Sequence, residues 1–165
     1  MRSWPENLRL DVGCGDNPLG DVNVDIYKTS NPQIRDQKKF YPMPYREIPN
    51  FIIADARYLP FPKGTFRKTF CYSVLEHVSD PFKVLAELLR VTHGTIRIYV
   101  PHRWSRTAKK PAHINFFNAR WFRQAFRKLD VKFFRMEFER WFFPHAYMPI
   151  FAIPSGISIE IENIV

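Results

Sequence analysis

The residues best placed for chemistry lie early in the 165-residue chain, where Gly13 and Gly15 flank Cys14 directly after the apolar run Leu8, Leu10, Val12. Glycine lacks a Cβ and tolerates positive φ, so two of them after a strand let the backbone turn sharply and lie against a flat ligand. In open α/β sheets, ligands bind at the carboxyl ends of parallel strands, where this turn falls. A dinucleotide site would need a third glycine opening a helix whose N-terminus faces a pyrophosphate. Pro18 occupies that place, and Asp16 would repel a phosphate. The turn therefore points to a cationic or zwitterionic ligand. Two further acids, Asp25 and Asp55, each close an apolar stretch at a predicted strand end, and Asp11 lies within the first strand. A buried acid must be paired or hydrogen-bonded, so Asp11 either reaches a ligand ammonium through water or holds the glycine loop.

The elements that position these residues alternate between strand and helix. Short strands are expected at Leu8–Val12, up to Asp25, at Phe51–Ala54 as a buried strand, at Arg67–Ser73 and at Thr95–Val100. Ser79 or Asp80 caps a helix with Pro81 in its first turn and Val84, Leu85, Leu88, Leu89 and Val91 at helical spacing, and Gly94 follows its end. Asn118 caps a second helix, with Trp121, Phe122, Ala125, Phe126 and Leu129 as its apolar stripe and Arg120, Arg123 and Arg127 pointing elsewhere. Val131–Arg140 and Gly156–Val165 alternate with period two, which reads as an antiparallel pair at the sheet edge. Pro32, Pro42, Pro44 and Pro49 make Tyr27–Asn50 an irregular connection, and Trp141–Pro154 is too proline-rich for a helix.

An apolar content of 45% excludes a disordered chain, and residues 1–165 are expected to form a single domain. No window approaches the roughly 20 apolar residues of a membrane span, and the N-terminus lacks the apolar stretch of a signal peptide, so a cytoplasmic protein is expected. Cys14 and Cys71 fall in predicted strands with no partner at metal-ligand spacing; they read as buried free thiols, and no metal is expected. The net charge of +9 is local: between Pro101 and Arg135 ten basic residues face Asp130 alone.

With these residues in place, the chain resembles the class I S-adenosylmethionine-dependent methyltransferases of the type 11-like group. Asp11, Gly13, Cys14 and Gly15 match the first motif; Asp25, the segment Asp55-Ala56 with Leu59-Pro60-Phe61, the stretch Phe70–Val78 and Thr95–Pro101 match later ones in order. The resemblance implies a Rossmann-like α/β sheet of order 3-2-1-4-5-7-6 with an antiparallel last strand, and S-adenosylmethionine as cosubstrate. It further implies that Asp25 accepts from the ribose hydroxyls, that Asp55 and the backbone at Ala56 bond the adenine, and that Tyr72 lines the methionine and methyl side.

One departure stands out. Only Gly13–Asp21 separate the first two strands, whereas a parallel crossover takes about a dozen residues or more. The first helix is expected to shrink to about one turn around Asn17–Gly20, with helical cover reduced. Trp4, the Tyr27–Asn50 segment or a second subunit in a homo-oligomer would then cover the sheet face nearby.

Methyl transfer from a sulfonium needs alignment, and a base only where the nucleophile must lose a proton. Among Tyr72, Glu76, His77, His102 and His113, the expected bases are His102 and His113, and Tyr72 could instead pack on the sulfonium. The basic stretch 101–135 favours an acidic acceptor: RNA, single-stranded DNA, an acidic protein face or a phosphorylated metabolite. The alternatives are a catalytically idle scaffold or partner subunit with Trp141–Pro154 as its contact surface, and a nucleic-acid-binding module without catalysis.

Overall fold

The computed structural model describes residues 5–26, 47–141 and 153–163. Seven strands form one sheet: β1 (Arg9–Val12), β2 (Val22–Asp25), β3 (Phe51–Ile53), β4 (Phe66–Tyr72), β5 (Thr92–Pro101), β6 (Phe133–Trp141) and β7 (Ile153–Glu162). Their order is β3-β2-β1-β4-β5-β7-β6. The first five strands pair in parallel, and β7 runs antiparallel to both β5 and β6. Helix α1 (Pro81–Val91) leads into β5 and α2 (Ala119–Lys128) leads towards β6. The Asp80 carboxylate caps α1 by accepting from Lys83 N at 2.9 Å, and the Asn118 side chain caps α2 by accepting from Trp121 N at 2.9 Å.

Register divides the sheet into two chemically different faces. Side chains of directly paired residues point the same way. One face therefore carries Val22 and Val24, Leu10 and Val12, Thr69 and Cys71, Ile96, Ile98 and Val100, and Ile157, Ile159 and Ile161, all of them buried. They form one core with Val84, Leu85 and Leu88 of α1 and Phe122 and Phe126 of α2. The period-two isoleucines of β7 exist to fill this layer. From β4 outward the opposite face mixes charge with aromatic rings, with Lys68, Arg97 and Glu160 beside Phe70, Tyr72 and Tyr99, and Arg97 and Glu160 are joined at 2.6 Å across the β5–β7 pair.

No helix forms at Asn17–Gly20, where one turn was expected; Gly13–Asp21 cross from β1 to β2 as turns and extended chain. Side chains replace the helical ladder. Leu19 N donates to the Asp11 carboxylate at 2.9 Å and Gly20 N to Asn23 Oδ1 at 3.1 Å. Gly20 also has no room for a Cβ, which would lie 2.4 Å from the Val22 carbonyl oxygen. Both faces of β1 and β2 are nevertheless buried: Asp11 and Asn23 as well as the apolar side chains. The end of the preceding connection contributes, since Ile48 is buried and Asn23 Nδ2 donates to the Pro49 carbonyl at 2.7 Å. Trp4 and most of the Tyr27–Asn50 and Trp141–Pro154 stretches lie outside the described residues.

Three other expectations are corrected. Cys14 sits in the loop after β1 rather than in a strand, although it is buried. The third strand stops at Ile53 and is only half-buried, because β3 is an edge strand and Ile53 is exposed. Finally, β5 starts at Thr92 rather than Thr95, so Gly94, which follows the helix end at Val91 as expected, lies inside a strand. A Cβ at Gly94 would approach the Arg67 carbonyl oxygen to 2.3 Å, so the glycine there permits close approach of β4.

Candidate functional site

The glycine turn is held by β2. Gly13 (φ +74°) and Gly15 (φ +54°) adopt left-handed backbone. Gly13 N and Cys14 N both donate to the Val24 carbonyl, at 2.8 and 3.1 Å, and Gly15 N donates to the Asp25 carboxylate at 3.0 Å. With Leu19 N and Gly20 N also engaged, the loop's donors face its own scaffold. They cannot cradle a phosphate, which agrees with the reading of Asp16 and Pro18. Of the two roles open to Asp11, the structure displays one: its carboxylate holds the loop. Burial, with a smaller contribution from the Asp25 charge, pushes the Asp11 carboxyl up to about 6, against the opposing Leu19 hydrogen bond. Burial and the charges of Asp25 and Asp11 push the Cys14 thiol up to about 12, so it is a thiol and not a thiolate nucleophile.

Asp55 and Ala56 follow β3 on the same edge, and Ala54 N donates to the Asp25 carbonyl at 3.1 Å, which fixes the two strand ends side by side. Arg57 donates to the Asp55 carboxylate from Nε at 3.0 Å and from one Nη at 2.6 Å, and this hydrogen bonding holds the carboxyl below its usual value. The other Nη of Arg57 reaches Ser79 Oγ at 2.6 Å. Arg57 N also donates to Asp55 Oδ1 at 2.9 Å, so three Arg57 N–H groups occupy this carboxylate and about one of its roughly four lone pairs is left for a further donor. Ala56 is buried and Tyr72, at the end of β4, is 37% exposed. Its phenol is raised by burial. The following Leu59–Phe61 segment is clamped from α1: Leu59 N donates to Glu87 Oε2 at 2.8 Å, and Arg90 donates to the carbonyls of Leu59 and Phe61 and to Glu87. Sequence reasoning missed this pair, for which the Glu-x-x-Arg spacing on a helix was the available signal.

The last strand ends carry the histidines. His102 closes β5, buried, with Nδ1 accepting from Trp104 N at 3.4 Å and its ring against Trp104 and Phe138. Burial and then the Arg103 charge lower its pKa. Around it the basic loop is exposed at Arg103, Arg106 and Lys109, and so are Trp104 and Phe116, at 68% and 53%. The arginines of α2 are exposed as expected.

His113 is not beside His102 in any described contact; it meets a different group. A 3₁₀ turn at Leu75–His77 follows β4, and the rings of His77 and His113 pack edge to face with centroids 4.7 Å apart. Glu76 is buried beside them, and ligand atoms of Glu76, His77 and His113 lie within 4.8 Å of one another. Burial pushes the Glu76 carboxyl up to about 7, offset only in part by its own backbone N–H, the nearby Ser73 hydroxyl and Lys110. Burial, then His77 and Lys110, lower His113 to about 4.

A seven-stranded sheet of this order with a reversed seventh strand, a glycine turn at the end of β1 and acids at the ends of β2 and β3 define the Rossmann-like methyltransferase class. The family described as "Methyltransferase domain" matches residues 10–96, more than half of the chain, and the chain belongs to it as a class I S-adenosylmethionine-dependent methyltransferase family member. Among solved structures, an S-adenosylmethionine-dependent methyltransferase of Thermotoga maritima is similar at TM-score 0.68 and 15% identity, covering 96% of this chain and 83% of that one. One from Archaeoglobus fulgidus is similar at TM-score 0.68 and 16% identity, covering 97% and 88%. Another from Methanosarcina mazei reaches TM-score 0.60 at 14% identity, covering 99% and 95%. These likenesses speak to the fold. None of the curated proteins matches the sequence. Among the described residues, no helix is long and apolar enough to cross a membrane.

Proposed function

We propose that the chain transfers the methyl group of S-adenosylmethionine to a single-stranded nucleic acid or a similarly acidic acceptor that approaches across residues 101–135. The observation that carries the first half is the glycine turn bonded to Asp25, with Asp55 fixed on the next strand. In this reading Asp25 receives the ribose diol, Asp55 and the Ala56 backbone the adenine, and Gly13–Gly15 the amino-acid part, while Tyr72 stands by the sulfonium. The sulfonium supplies an activated methyl group, so the protein contributes alignment, worth on the order of several kcal/mol.

The acceptor side rests on composition and exposure together. Exposed Arg103, Arg106 and Lys109 alternate with exposed Trp104 and Phe116, and cations interleaved with stacking faces suit a flexible single strand. Of the two histidines expected as bases, His102 has its Nδ1 lone pair engaged by Trp104 N–H, which leaves Nε2 as a donor that can hold an acceptor oxygen. His113 keeps an unpartnered Nδ1. The test is binding and methylation of labelled single-stranded RNA across a salt series. Affinity falling steeply between low and high salt, with Trp104→Ala weakening binding by roughly 1–3 kcal/mol, supports the reading. Affinity that is flat with salt, or absent, overturns the nucleic-acid acceptor.

A further inference from the structure

The cluster behind the β4 end has a chemical imbalance that methyl transfer does not use. His77 Nδ1 lies 2.9 Å from the Ala112 carbonyl oxygen; a carbonyl only accepts, so Nδ1 carries the proton and Nε2 presents a lone pair. At His113, Nδ1 is buried without a hydrogen-bond partner, and the Ala108 backbone lies beside the ring. Glu76 is 1% exposed and neither of its carboxylate oxygens completes a hydrogen bond among the described residues. One carboxylate and two imidazoles thus converge, each offering a ligand atom within 4.8 Å of the others. Orphaned buried acceptors of this kind cost free energy unless a water, another donor or a cation joins them, and two imidazoles beside a carboxylate suit a cation.

We propose that Glu76, His77 and His113 bind a divalent transition-metal ion, of the zinc class, through one carboxylate and two imidazoles. Two histidines and one glutamate form a known zinc donor set that leaves a coordination position open. The Ala112 carbonyl on His77 Nδ1 matches the outer hydrogen bonds that fix ring orientation at metal sites. The scaffold is prepared independently of the ion. Ile114 N and Asn115 N donate to the Glu76 carbonyl at 2.8 and 3.2 Å, and Asn115 Nδ2 donates to the carbonyls of Leu75 and Val78 at 2.9 and 2.6 Å. These bonds lock the His113 loop onto the Glu76 turn. Ligand atoms around zinc sit at about 2.1 Å from the ion and roughly 3.4 Å apart, so small side-chain rotations close the present 4.8 Å span. The turn also reaches the glycine loop, since a Cβ at Gly13 would meet Val74 Cγ2 at 2.2 Å. The cluster therefore sits at the end of the sheet where the cosubstrate turn lies. The site does not depend on which acceptor is methylated.

The test uses the untagged full chain, stripped with chelator and titrated with cobalt(II) as a coloured stand-in for zinc. A visible d–d absorption band saturating at one equivalent, bleached by one equivalent of zinc, is expected. Glu76→Gln and His113→Asn, each checked for folding by circular dichroism, should weaken cobalt binding by more than the roughly 10–100-fold typical of losing an outer partner. Histidine proton resonances in the unaltered chain give a reading free of variants: those of His77 and His113 should shift or broaden with the metal and that of His93 should not. No band at one equivalent, a near-ultraviolet thiolate band assigning the ion to Cys14 or Cys71, or full binding retained in folded Glu76→Gln overturns the proposal.

Discussion

Gly15 N donates to the Asp25 carboxylate at 3.0 Å, so the ends of β1 and β2 are tied together with no helix between them. The side chain expected to receive a ribose also braces the turn beside it. Cosubstrate binding and loop stability are therefore linked at Asp25. Asp25→Asn, which keeps an acceptor, should retain more thermal stability than Asp25→Ala while both lose cosubstrate affinity. Equal melting temperatures in the two variants would show that the bond to Gly15 contributes nothing.

The two turn glycines are not equivalent. Both have positive φ, but a Cβ at Gly15 would meet nothing within 4 Å, whereas one at Gly13 would strike Val74. Gly15→Ala should cost roughly 1–2 kcal/mol, the left-handed backbone penalty alone. Gly13→Ala should cost clearly more, because the stiff valine must also move. Denaturant midpoints compare them, and equal losses would contradict the packing described.

Asp11 links stability to pH. Its carboxyl is pushed up to about 6 from an ordinary value near 4, so the folded state holds this proton more tightly than the unfolded state does. The contribution is fully present below about pH 4 and is lost as pH rises through about 6, a span worth roughly 3 kcal/mol. Asp21, Asp55 and Glu87 are shifted down by Arg9, Arg57 and Arg90 and act in the opposite sense at lower pH. The comparison that isolates Asp11 is therefore with Asp11→Asn. Relative to that variant, the parent should lose stability between pH 4.5 and 7; a constant difference would contradict the burial of the charge.

Arg90 spans three partners, the carbonyls of Leu59 and Phe61 and the Glu87 carboxylate that holds Leu59 N. Removing it in Arg90→Ala leaves a largely buried carboxylate and two carbonyls short of a donor, a loss of about 2 kcal/mol. Chemical denaturation measures this directly. A change within about 0.5 kcal/mol, the range of ordinary surface substitutions, would mean that the clamp is dispensable.

Most strands were legible because each apolar run is bounded by turn residues and because Ile157, Ile159 and Ile161 alternate strictly, whereas their order was implied only by the resemblance to the methyltransferases. The caps Asp80 and Asn118 were legible for the same local reason. What local pattern misses is bonding between distant residues. Asp11, Asn23 and the Val24 carbonyl satisfy the loop donors that a first helix would have satisfied, so the expected turn of helix is absent. Gly94 resembles a helix stop but serves the contact with Arg67. His113 comes to His77 through long-range bonds of its loop to the Glu76 turn, those of Ile114 N and Asn115 N to Glu76 and of Asn115 Nδ2 to Leu75 and Val78, which no spacing rule anticipates.

The central claim is that the glycine turn, Asp25 and Asp55 together seat S-adenosylmethionine. Isothermal titration calorimetry with S-adenosylmethionine on the parent chain, Asp25→Ala and Asp55→Ala tests it most directly. The account predicts one-to-one binding by the parent that is lost or weakened at least tenfold in each variant while circular dichroism stays that of a folded chain. No heat of binding by the parent at millimolar ligand, or undiminished binding by both folded variants, would contradict it.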